Sequence, residues 1–133
     1  LEYFDARIRD VARKYRRVFM WGGSMGGSAA LLFAHLADCV HAFSPQADLS
    51  FTWPSFATDD VRELFRSRVQ QSVSQCRGLV TVHLGEENHN DARHAGALPS
   101  TVRRYLHETA NHNTMKHLKS RKKLLPLLKM EVL

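Results

Sequence analysis

The 133-residue chain lacks any apolar run approaching the roughly 20 residues that span a bilayer, which argues against a transmembrane helix. Its start, Leu1-Glu2-Tyr3-Phe4-Asp5, is charged and amphipathic, unlike a signal peptide, and has no initiator methionine; a processed or partial chain is expected. Cysteine is scarce. Cys39 and Cys76 lie in apolar or helical contexts without C-x-x-C spacing, which reads as buried thiols in a reducing, intracellular compartment, a single disulfide being the other option. Internal repeats and low-complexity segments are missing too. Acidic residues are the minority, 13 against 19 Lys and Arg, for a net charge of +6. The excess lies in Arg7 to Arg17 and Lys116 to Lys129. Two solvated helix faces are the plainer reading, an anionic-surface binder the sharper one. The aromatic–basic interleaving of an RNA-binding sheet is absent, so nucleic acid is not the expected partner.

Glycine is also sparse, seven in all, yet four of them fall between positions 22 and 27. There Val18-Phe19-Met20-Trp21 reads as a buried strand, and Ser28-Ala29-Ala30-Leu31-Leu32-Phe33 as a helix. Between them Gly22-Gly23-Ser24-Met25-Gly26 fits G-x-S-x-G in the strand-to-helix context that a nucleophile elbow requires. A serine on so sharp a turn is strained, and the glycines two before and two after let strand and helix pass closely. The same turn puts the Met25 N–H at a helix N-terminus, where it can donate to a developing oxyanion. A dinucleotide fingerprint fails because Ser24 and Met25 occupy the positions where its second glycine would stand, and a phosphate loop fails because Gly27 is followed by Ser28-Ala29 rather than Lys-Ser/Thr.

The rest of the chain alternates. Leu1 to Tyr15 carries Leu1, Phe4, Ile8, Val11 and Tyr15 at helical spacing, and the helix after the turn is expected from Ser24 to about Ala37. Val40 to Phe43 reads as a second strand. An aromatic group, Phe51, Trp53 and Phe56 around Pro54, follows it, either a packed loop or the wall of an acyl pocket. Thr58 caps a helix to about Gln75, Leu79 to Leu84 is a third strand, and Ala92 to Leu98 a helical patch. Val102 to Leu106 is a fourth strand, edge-like because of Arg103 and Arg104, and a last helix begins near Asn113, kinked or interrupted by Pro126. Such alternation predicts a mainly parallel sheet in a three-layer α/β/α fold, a single domain over 1–133. Ligands in such sheets bind at the C-terminal ends of the strands. Ser24, Asp48, Glu86 to Asp91 and His112 all follow predicted strands.

A serine hydroxyl needs a histidine to take its proton and a carboxylate to orient that histidine. Elbow folds place them in the order Ser, acid, His. His112, in a polar loop between the last strand and last helix, is the candidate base. Asp91 is the candidate acid, with Glu87 and Asp48 as alternatives; Asp91 reads almost equally well as a helix N-cap. His35, His41, His83, His107 and His117 are read as surface or packing residues, and His89 and His94 as outside candidates beside the acid loop. His107-Glu108-Thr109-Ala110-Asn111-His112 is one residue too long for H-E-x-x-H, so no metal site is expected.

Taken together, Gly22 to Gly27, the segment Gly85 to Leu98 and the segment Asn111 to Leu118 resemble the elbow, acid loop and histidine loop of the α/β-hydrolase superfamily, of the serine esterase, lipase and peptidase type. The resemblance covers most of the chain but only the C-terminal half of that fold, from the elbow strand onward. It implies a hydrolase acting on a small-molecule ester, thioester or amide through Ser24, Asp91 and His112, with the Met25 N–H as one oxyanion donor and no cofactor. Where that family often carries its acid, three residues after the strand-ending glycine, this chain has Asn88. The early strands of the fold are missing, which implies a longer native chain or a protein partner completing the sheet, or else a catalytically inactive accessory subunit of a larger assembly.

Overall fold

The structure is a computed structural model and describes residues 1–52, 57–108 and 110–130. Four parallel strands form one sheet in sequential order: β1 (Phe19–Gly23), β2 (Cys39–Phe43), β3 (Leu79–Gly85) and β4 (Arg103–His107). The register pairs Trp21 with His41, Phe43 with His83, and His83 with Tyr105. Sequential order with right-handed crossovers forces the three connecting helices onto one face. These are α2 (Met25–Leu32), α3 (Asp59–Ser74) and α4 (His89–Gly96). The main core lies beneath them, where Val40, Ala42, Val80, Val82 and Leu84 meet Ala30, Leu31, Val69, Val73 and Ala95. The other face is covered by the C-terminal helices α5 (Thr114–Ser120) and α6 (Leu124–Met130), through Phe43, Leu118 and Leu128. The fold is three-layer α/β/α with a parallel sheet, as the alternation predicts.

Most departures from the expected elements have a local cause. The amphipathic helix α1 stops at Ala12 (Glu2–Ala12). The helix after Ser24 ends at Leu32, and a single 3-10 turn, Ala34–Leu36, replaces its last part. The helix expected from Ala92 begins three residues earlier because the Asn88 side chain accepts from the N–H groups of Asn90 and Asp91. Asn88 therefore caps that helix, and Asp91 sits inside its first turn. The last helix breaks before Pro126, at Lys122, whose φ is 57°. Pro126 then falls in the first turn of α6, where its missing N–H costs nothing.

The arginines of β4 have a positive role. The Arg104 guanidinium donates to the carbonyls of Ala95, Leu98, Pro99 and Val102, closing the C-terminal end of α4. Cys39 and Cys76 are not joined in a disulfide. Among the described residues no helix is long and apolar enough to cross a membrane. Of the aromatic group after β2, Trp53, Pro54 and Phe56 lie outside the described residues.

Candidate active site

Ser24 stands between β1 and α2 with φ 52° and ψ −119°, a left-handed backbone that costs a non-glycine residue of order 1–3 kcal/mol. Its own N–H donates to the Phe43 carbonyl at 2.8 Å, hooking the turn onto the end of β2. A Cβ on Gly22 would overlap the Gly26 carbonyl, and one on Gly27 would stand 3.0 Å from the Gly22 carbonyl oxygen. A Cβ on Gly26 would meet nothing within 4 Å among the described residues. The close passage of strand and helix thus rests on Gly22 and Gly27, not on the Gly22/Gly26 pair that the motif emphasises. Met25 is the first residue of α2, so its N–H has no partner within the helix.

The histidine loop reaches this turn by crossing the end of β3. Gly85 makes the crossing possible, since a Cβ there would overlap the carbonyls of Ala110 and Asn111. Backbone bonds from Glu87 N–H to Ala110 and from Glu86 N–H to His107 hold the loop down. Thr114 anchors its far side, with the buried Ser44 and Thr114 hydroxyls 2.7 Å apart. The result is that His112 Nε2 lies 3.1 Å from Ser24 Oγ, and His112 Nδ1 lies 3.0 Å from Asp91 Oδ1. The Asp91 side chain is 2% exposed and that of His112 42%.

The other carboxylates considered from the sequence are engaged or turned away. Asp48 is buried. Its Oδ1 accepts from Ser50 N–H and its Oδ2 from Arg66. Burial alone would push its carboxyl up, but the Ser50 N–H and the Arg66 guanidinium hold it below the ordinary range. Glu87 is exposed at the end of β3. Among the described residues no cluster of three or more His, Cys, Asp or Glu side chains is arranged to hold a metal ion.

A second Ser/His/Asp array exists that the sequence did not reveal. Ser72 Oγ is 2.9 Å from His35 Nδ1, and His35 Nε2 is 2.6 Å from Asp5. It flanks a cleft of about 440 Å³ between α1 and α3. The array lacks the means to react: Ser72 lies in the last turn of α3, 4% exposed, and its Oγ already accepts the His35 backbone N–H at 3.1 Å. Ser72 lies on a regular helix rather than on a strained turn. It ties α1 to the body.

Three further histidines have one another as partners. His41 Nδ1 lies 2.8 Å from His83 Nε2, and His83 Nδ1 lies 3.0 Å from His107 Nε2, so three imidazoles run in a chain across β2, β3 and β4. Each link needs one N–H and one lone pair, so in the neutral chain all donations run one way. Phe43 and Tyr105 stack on His83 from either side. Burial, reinforced by His41 and His107, pushes the His83 pKa down to about 3. His107 is lowered by burial, with smaller effects from His117 and Lys123.

No protein-family model matches the sequence, and no curated protein matches it. Solved structures do. An esterase domain of a Rhodothermus marinus protein superposes with a TM-score of 0.58 at 14% identity, over 92% of this chain and 66% of the other. Est1E from Butyrivibrio proteoclasticus gives 0.60 at 13%, over 93% and 66%. The acylaminoacyl peptidase of Pyrococcus horikoshii gives 0.54 at 11%, over 88% of this chain but 24% of that one. The fold is that of the α/β hydrolases in part, and the chain spans slightly less than two thirds of the two esterase structures.

Proposed function

We propose that this chain carries the nucleophile, base and acid of a serine hydrolase acting on an ester, thioester or amide. The observation that supports this reading most directly is the continuous Ser24–His112–Asp91 array, with spacings of 3.1 Å and 3.0 Å, at the C-terminal ends of parallel strands. That the similar structures include two esterases and a peptidase agrees with it. In this reading His112 Nε2 takes the Ser24 proton as Oγ bonds to the acyl carbon. The Met25 N–H donates to the resulting oxyanion. His112 then returns the proton to the leaving alcohol, thiol or amine, leaving Ser24 acylated. Water repeats the sequence in reverse and frees the acid. Asp91, buried against Nδ1, keeps the imidazole in the tautomer that can accept at Nε2 and steadies its charged form.

One observation favours a second reading, a catalytically inactive accessory subunit. Strand β1, which carries Ser24, is at the edge of the sheet among the described residues, and the Met25 N–H is the one oxyanion donor identified. An unpaired edge invites another strand. A longer native chain or a protein partner completing the sheet would supply it. Reaction of the purified protein with a fluorophosphonate probe decides between the two. Labelling that disappears in Ser24→Ala and His112→Ala supports the hydrolase. A folded, unlabelled protein supports the accessory role.

A further inference from the structure

Two buried polar atoms one turn apart on α4 have no hydrogen-bond partner among the described residues: Oδ2 of Asp91 and Nε2 of His94. Both residues are about 1% exposed. Orphans of this kind are rare in folded proteins because each forfeits the hydration it had in water. Here the two are complementary, as the protonation state of His94 shows. Its Nδ1 faces the backbone N–H of Asp48 at 3.4 Å, and an N–H can only donate. Nδ1 must therefore offer a lone pair, which places the single proton of the neutral ring on Nε2. A ring that accepts at Nδ1 is neutral, and burial, which lowers its pKa, agrees with that; Asp91 and Asp48 oppose the shift, while His112 and Arg93 add to it. The second of these aspartates is itself held by Arg66. Phe51 packs edge-on against the imidazole with centroids 5.6 Å apart and fixes its plane. An obligatory donor and a carboxylate acceptor thus share one helix face, three residues apart.

We infer that His94 is a positioning residue for Asp91: its Nε2–H, through one buried water, holds the carboxylate oxygen that does not face His112. Such a water bonds the donor of one residue and the acceptor of the other, the polar setting that buried waters occupy. The inference rests on the hydrolase reading for its consequence in catalysis, but its geometry stands apart from that reading. With Oδ2 held, Asp91 cannot rotate away from His112 Nδ1, and its charge is spread over two hydrogen bonds.

The test compares His94→Asn with His94→Gln in the whole chain. The Asn amide can place an acceptor opposite the Asp48 N–H but has no donor at the Nε2 position. Gln can place an NH₂ there. Fluorophosphonate reaction should fall roughly 10-fold or more in H94N, the scale of one hydrogen bond to a charged group, and recover in H94Q. The acid limb of its pH profile should move upward in H94N only, because a carboxylate that loses a donor interacts more strongly with a charged His112 and so holds the proton there more tightly. Nuclear magnetic resonance adds two readings that need no activity. The wild-type His94 ring should carry its proton on Nε2, and the His112 Nδ1–H resonance should move in H94N but not in H94Q. A His94 proton on Nδ1 overturns the inference, as does a His112 signal that is the same in all three proteins. A folded H94N as reactive as wild type also overturns it. Should the wild type resist the probe while the resonance readings hold, the hydrolase reading fails and the positioning contact stands.

Discussion

Acid should destabilise this protein well before its carboxylates are protonated, and His83 is the reason. Its imidazole is about 1% exposed, between His41 and His107 and sandwiched by Phe43 and Tyr105. In the folded chain it takes a proton only near pH 3, against an ordinary 6.5. Below pH 6.5 the unfolded chain therefore binds a proton that the folded chain refuses. Stability is at its full value above that pH and falls as the pH drops, by about 1.4 kcal/mol per unit for this one group. At pH 4.5 the loss relative to the full value comes to roughly 2.7 kcal/mol, a large part of the 5–15 kcal/mol typical of a domain. His107 and His94, both lowered by burial, act with the same sign. The carboxyls of Asp48 and Asp5, held below their ordinary range, add their share only below about pH 4.

Urea unfolding at pH 7.0, 5.5 and 4.5 measures this directly, with the dependence on denaturant checked for constancy. The companion variant is His83→Leu, close in volume and without a titrating group. It lowers stability at pH 7, since two ring bonds are lost, but its stability should fall less steeply with acid by about one proton, or 1.4 kcal/mol per unit. A wild-type midpoint that does not move between pH 7.0 and 4.5 would refute the reasoning. So would equal slopes in the two proteins.

Four further outcomes are expected. Gly22→Ala should cost at least about 3 kcal/mol, because the clash is with backbone, whereas Gly26→Ala should be neutral or gain up to about 1 kcal/mol; thermal melts compare them. Gly85→Ala should displace the histidine loop, seen as loss of probe labelling together with a lowered melting temperature. Asp91→Asn should slow fluorophosphonate reaction by roughly 10⁴-fold, the scale of amidating a triad aspartate, while Glu87→Gln leaves the rate within twofold. Ser24→Gly should raise stability by about 1 kcal/mol through relief of the left-handed backbone and abolish labelling, so a destabilised Ser24→Gly would show the turn to be unstrained.

What the sequence discloses depends on whether a residue's role is local. Strands β2 and β3 are buried on both faces, so Val40 to Phe43 and Leu79 to Leu84 stand out as short apolar runs. The turn at Ser24 stands out because sterics confine such backbone to glycine-rich stretches. Register is another matter. His41, His83 and His107 each look like a stray polar residue in an apolar run, and only the in-register alignment of three strands makes them a hydrogen-bonded chain. Asp5, His35 and Ser72 come from three separate elements and have no sequence signature. The same limit hides His94, whose tautomer is set by a backbone N–H 46 positions away.

The choice among carboxylates shows where the local and distant parts meet. From the sequence Asp91 and Glu87 differ little, both polar residues in one loop after β3. The difference arises from Asn88, whose side chain starts α4 at His89 and so rotates Asp91 inward, on the same helix face as His94 and Ala95. Had Asp91 itself been the cap, its carboxylate would have been spent on backbone N–H groups at the helix end. Because Asn88 takes that duty, Asp91 is released to face His112, a residue held by the Gly85 crossing and the Ser44–Thr114 bond. Asn88 thus stands where the resemblance led one to expect the acid and does the capping that leaves another residue in contact with the histidine. An Asn88→Ala variant should therefore weaken the His112–Asp91 contact as well as the helix. It should lower probe reactivity by more than its cost of about 1 kcal/mol in stability would account for, and a loss confined to stability would break this link.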